Sequence, residues 1–118
     1  MAHYQFGFIG TGNMGSALAG AVCRTVPPEQ VILSNRTPGK AEDLASRLGC
    51  AITVDNRTVA RNSDFIFLGV KPQMMAEMLS GIAPALKKRT SPFVLVSMAA
   101  GLTTAQIAEL AGGPYPVI

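Results

Sequence analysis

A chain of 118 residues with 48% hydrophobic and 14% charged side chains carries apolar material for one buried core and not two, so one domain is expected. The net charge of +3 is the balance of ten scattered Lys and Arg against seven Asp and Glu, and the one basic cluster, Lys87-Lys88-Arg89, reads as a solvated helix end; lacking a basic stripe and aromatic platforms, the chain suits an anionic small ligand at least as well as nucleic acid. The longest apolar run, Phe93 to Leu102, is broken by Gly and Ser, and the start has neither the basic nor the apolar region of a signal peptide, so neither a membrane span nor secretion is expected.

Strand-like and helix-like periods alternate without repeat, low-complexity tract or linker, which predicts an α/β fold on a parallel sheet. Gln5 to Ile9 is predicted as the first strand. Met14, Ala17, Leu18, Ala21 and Val22 then mark one face of a helix that ends before Pro27-Pro28. Val31 to Leu33 is predicted as the second strand, followed by a helix with Ala41, Leu44, Ala45 and Leu48 on one face and Gly49 as its stop, then a short third strand over Ala51 to Val54. Asp64 to Val70 is predicted as a fourth strand covered on both faces. Lys71-Pro72 ends it, and Met75, Met78, Leu79 and Ile82 give a helical stripe that reads as core packing. Phe93 to Ser97 is the expected fifth strand. Thr103 and Gln106 form the pattern of a capping box, opening a helix that runs through Leu110 and is closed by Gly112-Gly113, and Tyr115 to Ile118 turns extended again. The whole predicts a doubly wound, Rossmann-type sheet that stops inside its sixth strand.

Gly10-Thr11-Gly12-Asn13-Met14-Gly15 is a G-x-G-x-x-G directly after a predicted strand and at the head of a predicted helix, where the pattern has a mechanism. Gly10 permits the tight turn, Gly12 lets backbone N–H groups approach a pyrophosphate at the helix N-terminus, and Gly15 lets helix and strand pack closely. About 20 residues further on, an NAD site usually places Asp or Glu on the ribose 2′-OH. Here stands Ser34-Asn35-Arg36-Thr37, with no carboxylate to repel a 2′-phosphate, and with hydroxyls, an amide and a guanidinium able to bind one. NADP(H) is therefore the expected dinucleotide; Thr37 also suits a helix cap.

Gly69-Val70-Lys71-Pro72 and Ser97-Met98-Ala99-Ala100-Gly101 fall at the carboxyl ends of the fourth and fifth strands, the edge at which ligands bind in this fold class. Small residues there either admit a nicotinamide and its ribose or make tight turns, and Lys71 is either a ligand contact or a solvated turn residue. Cys23 and Cys50, 27 residues apart with no His or Asp cluster beside them, read as small buried hydrophobes of a cytosolic protein, with neither a disulfide nor a metal site expected. His3, the single histidine, lies at a chain end expected to fray and is no candidate acid or ligand.

Phe8 through Gly15, Ser34 through Thr37, Asp64 through Pro72, and Ser97 through Gly101 followed by the Thr-capped helix together resemble pyrroline-5-carboxylate reductase over essentially the whole chain. The most specific part is Val70-Lys71-Pro72 combined with Ala99-Ala100-Gly101. The resemblance implies NADPH-dependent reduction of 1-pyrroline-5-carboxylate to proline in the cytoplasm, a hydride passing to the imine carbon. It places Ile9, Gly10, Thr11, Gly12, Asn13 and Met14 at the pyrophosphate, and Ser34, Asn35 and Arg36 on the 2′-phosphate side. Asn56 falls to the adenosine, Gly69, Val70, Lys71 and Pro72 to the nicotinamide ribose, and Met98, Ala99 and Ala100 to the ring. Asn56 is not a position that spacing would select. Family members continue into a helical dimerisation domain that supplies the substrate pocket, so the resemblance implies a homo-oligomer formed through that domain, no catalytic side chain within residues 1–118, and an inactive fragment. Two other readings remain: another reductase with the same front half, such as a deazaflavin-dependent NADP reductase or a β-hydroxyacid dehydrogenase, and a dinucleotide-binding module without chemistry.

Overall fold

The computed structural model describes residues 3–10, 13–35, 38–98 and 101–118. Five strands, β1 (Tyr4–Ile9), β2 (Val31–Ser34), β3 (Ala51–Thr53), β4 (Ser63–Leu68) and β5 (Val94–Ser97), form one sheet in the order β3-β2-β1-β4-β5, and all their pairings are parallel. That is the doubly wound order, reversing direction at β1. Beyond β5, Val117 bridges Leu95 in parallel, with Leu95 N–H donating to Pro116 O at 2.9 Å and Ser97 N–H to Ile118 O at 2.8 Å. Residues 116–118 thus begin the sixth position, as the sequence led us to expect.

The period of two along each strand sorts its side chains onto two cores. Phe8, Val31 and Leu33 point to one face, where they meet Ala19 of α1 (Asn13–Thr25) and Leu44 and Ala45 of α2 (Pro38–Leu48). Phe67 lies parallel to Phe8 there, ring centroids 4.5 Å apart. Ile9, Ile32, Ile66, Leu68 and Leu95 point to the other face, onto Met75, Leu79 and Ile82 of α4 (Pro72–Lys87) and Ile107 and Ala111 of α5 (Thr104–Ala111). The methionine stripe is core packing, as its spacing predicts. α5 opens on the full capping box of Thr103 and Gln106, and Gly112, at φ +95°, closes it.

Several features depart from the sequence reading, beginning with the core, expected as one and divided between the two faces of the sheet, and with Phe93, which lies outside β5. Val54 leaves β3 and is exposed. Gly69 and Val70 belong to the turn after β4 and not to the strand, because the chain must leave the ladder before Pro72. A helix not foreseen, α3 (Asn56–Asn62), follows β3: Asp55 caps it by accepting from Arg57 N–H at 2.9 Å, and it buries Val59 and Ala60. It lies close over β1 because Gly7 has no side chain, and a Cβ there would stand 2.5 Å from Val59 Cγ1. Finally, Arg89 is not a solvated helix end. Its guanidinium is half-buried, donates to the carbonyls of Ala60, Ser63 and Pro92 and to Ser91 Oγ, and lies 4.9 Å from the Phe93 ring centroid.

Candidate functional site

The carboxyl ends of the parallel strands all open on one edge of the sheet, and the direction of connection reverses between β1 and β4, which leaves a crevice there. The chain crosses itself tightly at this point. Gly10, at φ +84°, donates its N–H to Ser34 O at 3.0 Å, and Gly69 N–H donates to Ile9 O at 2.7 Å. A Cβ on Gly69 would lie 2.6 Å from Gly10 O, so the two turns approach as only glycine permits. α1 begins at Asn13 directly above, and a Cβ on Gly15 would meet the same Gly10 carbonyl at 3.0 Å. The Met98 methyl reaches beneath this crossing, 2.9 Å from where a Gly69 Cβ would stand. These glycines let the two turns pack directly on each other at the head of a 13-residue helix, whose dipole favours negative charge there, an arrangement that fits a pyrophosphate.

Beside the crossing lies an open cavity of about 720 Å³, bounded by Asn35 after β2, Val54 after β3, Asn56 at the start of α3, Val70, and Met74 and Glu77 on α4. Its size and its mixture of apolar walls with a few polar groups suit a nucleoside. At its rim Arg57 holds Asp55 through Nε and Nη2, each at 3.1 Å. That hydrogen bonding, with the Arg57 N–H, pulls the Asp55 carboxyl below its usual range. Ser34 at the end of β2 is fully buried; its Oγ lies 2.6 Å from Asn56 Oδ1 and 3.4 Å from Phe8 O.

Of the residues singled out in the sequence, Gly10, Gly15, Gly69 and Met98 meet at the crossing, and Asn35, Asn56 and Val70 line the cavity. The Ile9 side chain is in the core and its carbonyl serves Gly69. Asn13 and Met14 open α1, and Lys71 and Pro72 are exposed at the start of α4. Thr11, Gly12, Arg36, Thr37, Ala99 and Ala100 lie outside the described residues. Sequence reasoning passed over Val54, Asp55, Arg57, Met74 and Glu77. Only the Asp-x-Arg of a helix cap could have flagged two of them. Among the described residues no group of His, Cys, Asp and Glu could hold a metal ion, and no helix is long and apolar enough to cross a membrane.

The chain is similar to pyrroline-5-carboxylate reductases. That of Corynebacterium melassecola is 35% identical over 111 residues, 93% of this chain and 41% of the relative; that of Escherichia coli K12 is 35% identical over 116 residues, 97% of this chain and 42% of the relative. The chain therefore spans about two fifths of the length of these relatives. Among solved structures, a pyrroline-5-carboxylate reductase from Coxiella burnetii superposes with a TM-score of 0.85 at 27% identity, covering 97% of this chain and 42% of that one. The Plasmodium falciparum pyrroline carboxylate reductase, solved with NADP bound, gives 0.76 at 28% identity, covering 99% of this chain and 41% of that one. The family described as NADP oxidoreductase, coenzyme F420-dependent, matches residues 5–101, and with the doubly wound sheet and the glycine crossing in place over that span, the chain belongs to this family.

Proposed function

We propose that this chain is the NADP(H)-binding half of a reductase that converts 1-pyrroline-5-carboxylate to proline. The observation that carries the reading is the crossing of Gly10 and Gly69 beneath the start of α1 at the point where the sheet reverses, in a chain whose relatives bear that enzyme's name. Gly10, Thr11, Gly12, Asn13, Met14 and Gly15 would hold the pyrophosphate, and Asn35 and Arg36 the 2′-phosphate. Asn56 and Met74 would flank the adenosine. Gly69 to Pro72 would meet the nicotinamide ribose, and Met98 to Ala100 the ring. The bound dinucleotide supplies a hydride, which with one proton saturates a carbon–nitrogen double bond. What this half contributes is alignment: a nicotinamide fixed by backbone on one side presents its reactive carbon to a substrate held from the other. The substrate pocket and the contacts that make a homo-oligomer belong, on this reading, to a second, helical domain, and no side chain of residues 1–118 acts as acid or base.

The family's description supports a second reading, exchange of a hydride between NADP and a deazaflavin. Relatives covering more than nine tenths of this chain favour the pyrroline substrate. Calorimetric titration of NADPH into the 118-residue chain, with turnover assays on the full-length gene product, tests the proposal. Binding by the chain without turnover, and NADPH oxidation by the full-length protein with 1-pyrroline-5-carboxylate but not with a deazaflavin, is the expected result; proline formation by the chain alone would overturn the division of labour.

A further inference from the structure

We propose that Ser34 is a positioning residue that sets the carboxamide of Asn56, and not a ligand of the 2′-phosphate. The inference rests on the dinucleotide-binding reading above. Ser34 ends β2, the strand end at which the identity of the dinucleotide is decided, and its hydroxyl looks from sequence like a phosphate ligand. In the fold it is 0% exposed. Its hydroxyl has one proton, and two acceptors are near: Asn56 Oδ1 at 2.6 Å and Phe8 O at 3.4 Å. A separation of 2.6 Å belongs to an O–H···O bond and is short for N–H···O, so the hydroxyl donates to the Asn56 oxygen and the carboxamide is not reversed. With Oδ1 committed to Ser34, the group Asn56 retains for the cavity it lines is the Nδ2 donor. A buried seryl hydroxyl thus selects which end of an amide a nucleoside meets, and an acceptor atom of the base or ribose is what that end recognises.

The two roles separate on paired cofactors, since NADH lacks the 2′-phosphate and keeps the adenosine. Titrate NADPH and NADH into wild type, S34A, N56D, N56A and the double variant S34A/N56A, and record melting temperatures without ligand. We expect S34A to weaken both dinucleotides by the same factor, about two- to tenfold for one neutral hydrogen bond, and to add nothing in the N56A background, because the effect passes through Asn56. N56D keeps an acceptor for Ser34 and loses the donor, so it should hold its melting temperature while both affinities fall; this arm stands even if S34A folds poorly. A loss confined to NADPH in S34A, or a full S34A effect in the N56A background, would overturn the assignment. A lower melting temperature in S34A with unchanged affinities would overturn it too. A wild type that binds neither dinucleotide would overturn the underlying reading before any variant is compared.

Discussion

At the scale of single residues, the guanidinium of Arg36 is the one cation in the segment that the sequence assigns to the 2′-phosphate. A hydrogen bond to a charged group contributes roughly 1.5–3 kcal/mol, so Arg36→Ala should weaken NADPH about ten- to a hundredfold and NADH a few-fold at most. Fluorescence titration of both cofactors checks this, and parallel losses would leave Arg36 as a turn or stacking residue. The cysteines, expected as small buried hydrophobes, pack against the core but are less buried than that. Both are half-buried and free, packed on the α1–α2 side. Burial first, then the neighbouring Cys23, pushes Cys50 up to about 12. A thiol that ionises so late offers little thiolate at neutral pH, so a disulfide reagent at pH 8 should modify Cys50 far more slowly than it modifies the unfolded chain. The sign of the pH dependence follows. The unfolded thiol loses its proton near 9.0 and the folded one near 12, so the unfolded state binds fewer protons in between, and stability should fall as pH rises through that window. Denaturant midpoints at pH 8 and pH 10.5 measure it, with Cys50→Ala as the control that flattens the slope. That the two cysteines lie near each other was not legible because 27 residues separate them; the packing of α1 against α2, which ends just before Cys50, brings them together.

At the scale of elements, caps written in the sequence became caps in the fold where the helix was long enough for its apolar period to be read. Thr103 with Gln106 did so at α5, and Gly49, at φ +77°, did so at the end of α2. α3 has seven residues and two buried ones, too few to display a period, so its Asp55 cap carried no weight by itself. Removing that cap should be felt: Asp55→Ala is expected to cost on the order of 1 kcal/mol, read as a lower midpoint in urea with unchanged slope. The same element explains why Asn56 could not be found by spacing. It stands 22 positions beyond Ser34, and nothing short of the β2–β3–α3 path puts the two side chains in contact. By contrast Gly10, Gly15 and Gly69 were legible, because a chain that must turn and cross at a strand end announces itself in glycine whatever the surrounding sequence.

At the scale of the whole molecule, the parallel α/β architecture followed from alternation of periods, since each buried strand reads as an apolar run and each covering helix as a stripe, whereas the single core expected from composition is divided into two clusters, one on each face of the sheet. Strand ends shifted by one or two residues where a turn claimed them. A ligand that seats across the β1–β4 reversal ties the two halves of the sheet to each other and adds its binding free energy to folding. At a hundredfold excess over Kd, NADPH should stabilise the chain by about 2.7 kcal/mol, which for a domain of this size raises the melting temperature on the order of 10 °C. A thermal scan with and without NADPH measures it, and no shift would argue against a dinucleotide site.

The short parallel pairing of residues 116–118 on β5 has a consequence for how the protein behaves in solution. Without it, the Leu95 and Ser97 amides and the Leu95 carbonyl, which it now occupies, would face water along a bare, apolar strand, and such an edge recruits strands from other molecules. Deleting residues 116–118 removes Val117 from the edge of the α4–α5 core but leaves the fully buried residues in place, and should promote self-association. Light scattering at rising concentration would detect the change, while far-ultraviolet circular dichroism stays close to that of the parent chain.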